Sequence, residues 1–144
     1  MEALEAILTR RSIREYTSQA VPDELIKKLL YAAMQAPSAG NQQPWHFIVV
    51  TERNQMNSLA DALPFGKMLL HAPLAIVVCA DLKAEVCRGY WVQDCSAATQ
   101  NLLLAARAIN LGAALTTIPT WNLIAARRIL GLPWTIRKRW IRSL

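Results

Sequence analysis

Residues 36–50 read APSAGNQQPWHFIVV, a stretch in which a polar loop runs directly into an apolar segment. The loop carries four uncharged hydrogen-bonding side chains, Ser38, Asn41, Gln42 and Gln43. Pro37 and Pro44 restrict the loop on both sides, and Gly40 permits backbone turns that other residues resist. The apolar half is β-branched and aromatic, which predicts a strand over residues 45–51 that is buried on both faces. A stiff, neutral loop is therefore expected at the entry to a buried sheet.

Apolar periodicity and turn residues predict the other elements of the chain. Helices are expected over residues 2–9, 22–36, 52–63, 85–110 and 121–130. Two more strands are expected over residues 74–80 and 113–118. The first helix has an apolar face that we expect to be buried, formed by Ala3, Leu4, Ile7 and Leu8. The helix at 85–110 is apolar almost all the way round, so its own sheet and a second copy of the chain are its expected cover.

The composition indicates one layered domain with more apolar surface than its own core would bury. The chain has 144 residues, of which 53% are apolar, and its elements alternate without repeats, as in α+β or α/β domains. It contains no apolar run of the ~18–20 residues that a membrane span needs, and its acidic start is unlike a signal peptide, so we expect a cytoplasmic protein. The net charge of +6 comes from six basic residues after position 126. Residues 1–126 carry no net charge, so the positive charge of the whole chain does not imply binding to nucleic acid.

Several kinds of site find no support in the sequence. Cys79, Cys87 and Cys95 lack the spacing of a zinc site and are expected to be small buried thiols. His46 and His71 have no second ligand at metal-binding spacing. The chain has no GxGxxG, GxxxxGK[ST], HExxH or GxSxG motif. We therefore expect no metal and assign no catalytic side chain.

Two short segments carry the residues best suited to binding. RRSIR, residues 10–14, sets three guanidiniums and a hydroxyl at a helix end, and an extended backbone there would turn Arg10, Ser12 and Arg14 to one side. Guanidinium forks match phosphate or another flat anion, although a solvated charge run with Glu15 as partner is an open alternative. The amides of the 36–44 loop match the edges of heteroaromatic rings such as flavins, pterins and bases. Here the alternative is an Asx-turn with a helix cap.

Four segments, taken in order, resemble the FMN-dependent nitroreductases, especially their compact NAD(P)H nitroreductase and flavin reductase-like members. They are RRSIR, APSAGNQQPWHFIVV, LPFGKMLLHAPLAIVVCAD and DCSAATQNLLLAARAINLGAALTTI. The resemblance covers residues 1–132 and implies an α+β, three-layer fold in which helices flank a central, mainly antiparallel sheet. It also implies that the long helix lies at a homodimer interface.

The resemblance implies a flavin enzyme and a set of binding residues. FMN would carry hydride or electrons from NADH or NADPH through its N5 to a nitroaromatic, quinone or flavin acceptor, in a ping-pong sequence. The family's phosphate, ribityl and ring-edge contacts match Arg10, Arg11, Ser12 and Arg14. Its loop that reaches the flavin of the other subunit matches Pro37, Ser38, Ala39, Gly40, Asn41 and Gln43. A strand end that approaches N5 through its backbone matches Thr116 and Thr117, although many members have Gly in place of Thr117.

The end of the sequence departs from the family pattern. In PWTIRKRWIRSL, residues 133–144, neither the family's last strand nor its basic phosphate-binding segment is visible. We therefore expect a nitroreductase-like domain over 1–133 that lacks this strand, an atypical basic tail over 134–144, and FMN affinity below the family's norm. The alternative is a degenerate dimer with weak or no flavin binding and no redox activity. A third possibility, a module that binds nucleic acid or membrane through the tail, predicts salt-dependent binding that is lost with residues 134–144.

Overall fold

The computed structural model describes residues 1–132, so the expected tail at 134–144 lies outside the described residues. Its α-helices are α1 (Ala3–Thr9), α2 (Asp23–Met34), α3 (Arg53–Ala62), α4 (Trp91–Ala108) and α5 (Leu123–Ile129). Its strands are β1 (Trp45–Val50) and β2 (Ala75–Ala80). Short 3-10 turns lie at Ala39–Asn41, Lys67–Leu70 and Thr120–Asn122. None of the helices within residues 1–132 has the length and apolarity needed to cross a membrane.

The two strands form an antiparallel pair between two layers of helices. Trp45 lies opposite Ala80, and Val50 lies opposite Ala75. Successive side chains of a strand point to opposite faces, so Trp45 packs against α2 and α4 while Val50 packs against α3 and α5. This arrangement confirms the predicted α+β class with helices on both faces of an antiparallel sheet.

Burial along β1 is less complete than the sequence predicts. Trp45 and Val50 are buried, but His46 is exposed and Val49 keeps 40% of its surface accessible. The prediction that both faces are buried is therefore wrong for the single chain. The helices cover the Trp45 end of one face, and residues 1–132 leave Val49 at the other end only partly covered.

The apolar face predicted for α1 is exposed. The helix packs on α4 through Ala6, which is buried, whereas Leu4, Ile7 and Leu8 are 66%, 54% and 64% exposed. A small side chain at the contact lets two helices approach closely, and this docking turns the larger side chains outward. The predicted face is thus wrong for one chain, and it leaves an apolar surface on the outside of α1.

The predicted strand over 113–118 does not form. Its backbone makes one isolated parallel bridge, between Ser12 and Ala113, in which the Ile13 N–H donates to the Ala113 carbonyl at 3.0 Å. A strand requires a ladder of such bonds with a neighbour. Instead, a cavity lies between this segment and β2, and the outer edge of β2 has no strand partner within residues 1–132.

The long helix begins later than its apolar pattern predicts. It starts at Trp91 rather than near residue 85, because residues 85–90 fold into turns. The Glu85 carboxylate accepts hydrogen bonds from the backbone N–H groups of Gly89 and Trp91, at 3.0 and 3.3 Å. Acidic side chains favour helix starts, so this contact stabilises the observed boundary.

The buried side chain of Met56 provides a test of the α3 layer. Met56 is fully buried, so Met56→Ala should lower the free energy of unfolding by about 2–5 kcal/mol through lost packing and a cavity. Met34 is also helical but 44% exposed, and Met34→Ala should change it by less than about 1 kcal/mol. Urea unfolding at one protein concentration measures both. Equal losses would contradict the assigned core.

Candidate functional site

The 36–44 loop has an unusual backbone. Gly40, Asn41 and Gln43 all have positive φ, at 57°, 53° and 44°. Residues other than glycine rarely adopt this conformation, and each one costs roughly 1–3 kcal/mol unless its surroundings impose it. The loop must therefore be held in place by contacts with the rest of the chain.

A buried carboxylate on α4 supplies those contacts. Asp94 is only 3% exposed, and its two oxygens accept hydrogen bonds from the Ala39 N–H at 2.9 Å and from the Gln42 Nε2 at 2.6 Å. The Gln42 Oε1 in turn accepts from the N–H groups of Val86 and Cys87, each at 2.9 Å. Carboxylate oxygens accept hydrogen bonds and backbone N–H groups donate them, so only one orientation of the Gln42 amide satisfies both of its neighbours. These bonds fix the loop to α4 and to the turn before α4.

Sequence reasoning did not distinguish Gln42 from the other loop amides and assigned no role to Asp94. Gln42 resembled its polar neighbours, and nothing local distinguishes the amide that turns inward. Asp94 did give a usable signal, because it is the one acidic residue between Trp91 and Ala108, a helix whose sequence is mostly apolar. A buried acid without a basic neighbour needs hydrogen-bond donors, and the adjacent loop has them.

The other predicted loop residues divide into two groups. Ser38 and Ala39 shape the loop, since the Ser38 hydroxyl accepts from the Gln43 N–H at 3.0 Å and Ala39 contacts Asp94. Pro37, Gly40, Asn41 and Gln43 are exposed. The amides of Asn41 and Gln43 make no side-chain hydrogen bond within the described chain. The loop therefore offers two uncharged amides to a ligand or a partner.

The RRSIR segment lies beside the other end of α4. Arg10 and Arg11 line a cavity of about 380 Å³ together with Arg107, whereas the exposed Ser12 and Arg14 are not part of its lining. The Arg11 guanidinium also donates to the carbonyls of Leu8 and Arg10, at 3.1 and 2.8 Å. These bonds give hydrogen-bond partners to carbonyl groups at the C-terminal end of α1. In this part of the chain no arginine is paired with Glu15.

Thr116 and Thr117 lie on the wall of a larger, mainly apolar cavity of about 670 Å³. Tyr16 lies on the same wall, and its hydroxyl donates to the Ile13 carbonyl at 2.6 Å. Partial burial raises the pKa of Tyr16, an effect that the nearby charge of Arg14 reduces. The phenol therefore stays protonated and keeps this hydrogen bond through the neutral range.

Within one chain, the two candidate groups do not meet. The loop is attached at Asp94 and the cationic cavity at Arg107, which are separated by thirteen residues of α4, or about 20 Å of helix. The points at which α4 holds the loop and borders the cationic cavity are therefore far apart in one chain.

Comparison with known proteins identifies the fold's relatives. The family model described as the nitroreductase family matches residues 7–64 and 61–141, most of the sequence. The chain belongs to the nitroreductase family. A protein of Archaeoglobus fulgidus with the provisional name NADH dehydrogenase/NAD(P)H nitroreductase is 51% identical over 138 residues, which cover 94% of this chain and 79% of that protein.

Solved structures agree with this nitroreductase assignment. A protein of Parabacteroides distasonis with the same provisional name has a TM-score of 0.87 at 39% identity, covering 99% of this chain and 88% of that one. A protein of Desulfovibrio desulfuricans with the provisional name nitroreductase, solved in complex with FMN, has a TM-score of 0.83 at 34% identity. The match covers 92% of this chain and 78% of that one. The resemblance seen in the sequence motifs is confirmed.

Within residues 1–132, no group of His, Cys, Asp or Glu could hold a metal ion.

The Asp94 contacts predict a specific response to an isosteric change. In Asp94→Asn, the new NH2 group must face the Gln42 Nε2 or the Ala39 N–H, and rotating Gln42 would set its NH2 against the N–H groups of Val86 and Cys87. We expect a loss of about 1.5–3 kcal/mol in the free energy of unfolding and faster hydrogen exchange at these amides.

A matched control is available in the turn after β2. The Asp81 carboxylate accepts one backbone N–H, from Lys83, at 2.9 Å. Asp81→Asn keeps an oxygen for that bond and should change stability by less than about 1 kcal/mol. Unchanged exchange at Ala39 in Asp94→Asn would show that the carboxylate does not hold the loop.

The three thiols should differ in reactivity. Cys79 and Cys95 are fully buried, and burial together with the nearby Cys79, Asp94 and Glu85 raises the pKa of Cys95 to about 12. Cys87 is partly exposed in the turn beside Gly40. Iodoacetamide at pH 8 should label Cys87 in the folded protein and the other two only after unfolding, because the thiolate is the reacting form. Mass spectrometry of the peptides measures this, and early labelling of Cys95 would contradict its burial.

Proposed function

We propose that the chain is an FMN-dependent NAD(P)H oxidoreductase that acts as a homodimer in the cytoplasm, with each FMN bound between two subunits. One observation carries the proposal: the arginines and the neutral amide loop lie at opposite ends of α4. If two copies of α4 pack against each other about a two-fold axis perpendicular to the helix, they run antiparallel, and the Asp94 end of one lies near the Arg107 end of the other. This pairing creates two equivalent composite sites.

The residues present fit the chemistry of FMN. Its phosphate is an anion, and the cavity at the end of α1 is lined by guanidiniums and by no carboxylate. Its ring system is flat and mostly uncharged with hydrogen-bonding edges, which the exposed amides of Asn41 and Gln43 match. The tether from Asp94 holds the loop before a ligand binds, so little loop entropy is lost on binding.

The surface also fits a dimer. Leu4, Ile7 and Leu8 form an exposed apolar patch on α1, which packs on α4 near its Arg107 end. Burying these three side chains against a second subunit would remove apolar surface from water. The same contact would cover more of α4, whose apolar pattern predicts cover on all sides.

When bound, FMN supplies the redox chemistry by taking a hydride from NADH or NADPH and passing electrons to a second acceptor such as a nitroaromatic, quinone or flavin. The chain's own groups bind and orient. Arg10 neutralises the phosphate end, Arg14 adds positive charge beside it, and Asn41 and Gln43 of the other subunit fix the ring by its edges. The loop holds no acid, base or histidine, so protons come from solvent. One shared ring face for donor and acceptor favours a ping-pong sequence.

The names of relatives support the redox assignment. The Archaeoglobus fulgidus protein is provisionally named for activity with NADH and NAD(P)H, and the Desulfovibrio desulfuricans structure contains FMN.

The family match extends to residue 141 and so includes most of the basic tail. Lowered FMN affinity remains a prediction, and tightly held flavin that survives dialysis would contradict it.

A spectrum of the purified protein tests the proposed function. Addition of FMN should give one bound flavin per chain, and anaerobic NADH or NADPH should bleach its visible band. Arg10→Ala with Arg14→Ala should weaken FMN binding about tenfold or more, since the charge-assisted contact of Arg10 to the phosphate and the nearby positive charge of Arg14 are both lost. Arg128→Ala removes an exposed arginine on α5, which packs on α3 and not on α4, and should have little effect. Protein that neither binds FMN nor oxidises NAD(P)H would overturn the proposal in favour of a degenerate family member.

A further inference from the structure

The larger cavity, of about 670 Å³, lies between two stretches of backbone that lack hydrogen-bond partners. One wall is the outer edge of β2, which has no neighbouring strand within residues 1–132. The facing wall is the segment 113–118, which lines the cavity but forms no strand. Side chains of α2 and α4 line the cavity from one layer of helices, and side chains of α3 line it from the other. The cavity is therefore an opening in the middle layer of the fold.

The pairing of β1 with β2 shows which backbone groups point into this cavity. The Asp81 N–H donates to the Pro44 carbonyl at 2.8 Å, in register with the β1–β2 ladder. The groups of an antiparallel strand alternate between its two sides, so Ile76 and Val78 direct their N–H and C=O groups away from β1. Both residues line the cavity, and none of these four groups has a hydrogen-bond partner within residues 1–132.

The facing segment is also without partners on its cavity side. The Ala113 carbonyl accepts from the Ile13 N–H, but the backbone groups of residues 114–118 make no hydrogen bond within the described part of the chain. Most of these residues are partly covered. Backbone groups that are removed from water cost free energy unless they find a partner. The cavity thus has free donors and acceptors on two facing walls.

The side chains around the cavity define the rest of the chemistry that fits it. Leu, Ile, Val and Ala dominate the lining, and among the described residues Glu15, which is exposed, is its only charged member. A fatty acid or another apolar small molecule would fill the volume but leave the backbone groups unpaired. An extended apolar peptide pairs with both walls and sends alternate side chains into the two layers of helices.

We propose that this cavity is a docking site for an extended, uncharged segment of a partner polypeptide, which adds as a strand between β2 and residues 113–118. The six residues of β2 span about 20 Å, so a segment of five or six aliphatic residues matches the edge. A basic residue beside that segment has Glu15 as a partner. The inference goes beyond the proposed function and does not require that the chain binds flavin.

The sequence of residues 133–144 fits this cavity less well than an uncharged segment does. Arg137, Lys138 and Arg139 follow one another. Successive residues of a strand point to opposite faces, so a strand through these three would direct cations into both apolar layers. The same holds for this segment of a second copy. An uncharged partner segment avoids that cost.

The test uses the full-length chain and a capped synthetic peptide of sequence KVIVTVIK. Its control is the same peptide with N-methyl groups on alternate residues, which keeps the side chains and removes the donors of one edge. Isothermal titration calorimetry should show one peptide per chain, bound about tenfold or more tightly than the control, since two or three backbone hydrogen bonds are lost in the control.

A matched pair of variants tests the location. Ala114 lines the cavity, and Ala125 is exposed on α5 and does not line it. Ala114→Lys places a charge in the apolar cavity and should weaken binding of the peptide about tenfold or more, whereas Ala125→Lys should leave it within about twofold. Equal effects of the two variants would overturn the assignment of this cavity.

Amide hydrogen exchange measured by NMR reports the pairing directly. Without peptide, the outward amides of Ile76 and Val78 should exchange faster than the Val77 amide, which faces β1, and the peptide should slow them about tenfold or more. Slow exchange at Ile76 and Val78 in the full-length chain alone would show that residues 133–144 or a second copy already fill the cavity, and would overturn the proposal. Equal affinity for the two peptides, or no binding of either, would also overturn it.

Discussion

The length of α4 is the constraint on which the account of this protein depends. One end of the helix carries Asp94, which holds the neutral loop, and the other end carries Arg107, which borders the cationic cavity. About 20 Å of helix between them keeps the two groups apart in one chain. The same rigid separation is what allows a two-fold partner to bring unlike ends together. The proposed composite site thus depends on one element of the fold.

Much of the fold follows from local pattern. Apolar periodicity predicts α2, and the β-branched apolar runs predict β1 and β2. The helix and strand boundaries shift by only a few residues, apart from the late start of α4. The three-layer arrangement then follows because both faces of the β1–β2 pair are apolar. The family assignment needed more than periodicity, since it rested on four motifs in order.

Other features depend on tertiary contacts that periodicity does not encode. The side of α1 that packs was decided by the small Ala6 against α4, not by the larger apolar residues. The 113–118 segment has strand-forming residues, but a strand forms only beside a hydrogen-bonding neighbour, and within residues 1–132 it has a single bridge. For the candidate site, residue type pointed to RRSIR and the loop, and their role in binding stays a prediction. Gln42, Asp94 and Arg107 were missed because their roles come from partners 44 to 98 residues away in sequence.

The most direct test of the central claim is complementation between two defective chains. One chain carries Arg10→Ala and Arg14→Ala, the other Asn41→Ala and Gln43→Ala, and each alone should bind FMN poorly. When they are co-expressed, a mixed dimer pairs intact arginines of one subunit with the intact loop of the other. The account predicts recovery of FMN binding in about a quarter of all sites, from random pairing of two chains in an isologous dimer. No recovery in a mixture shown to contain mixed dimers, or a monomeric protein that binds FMN, would contradict it.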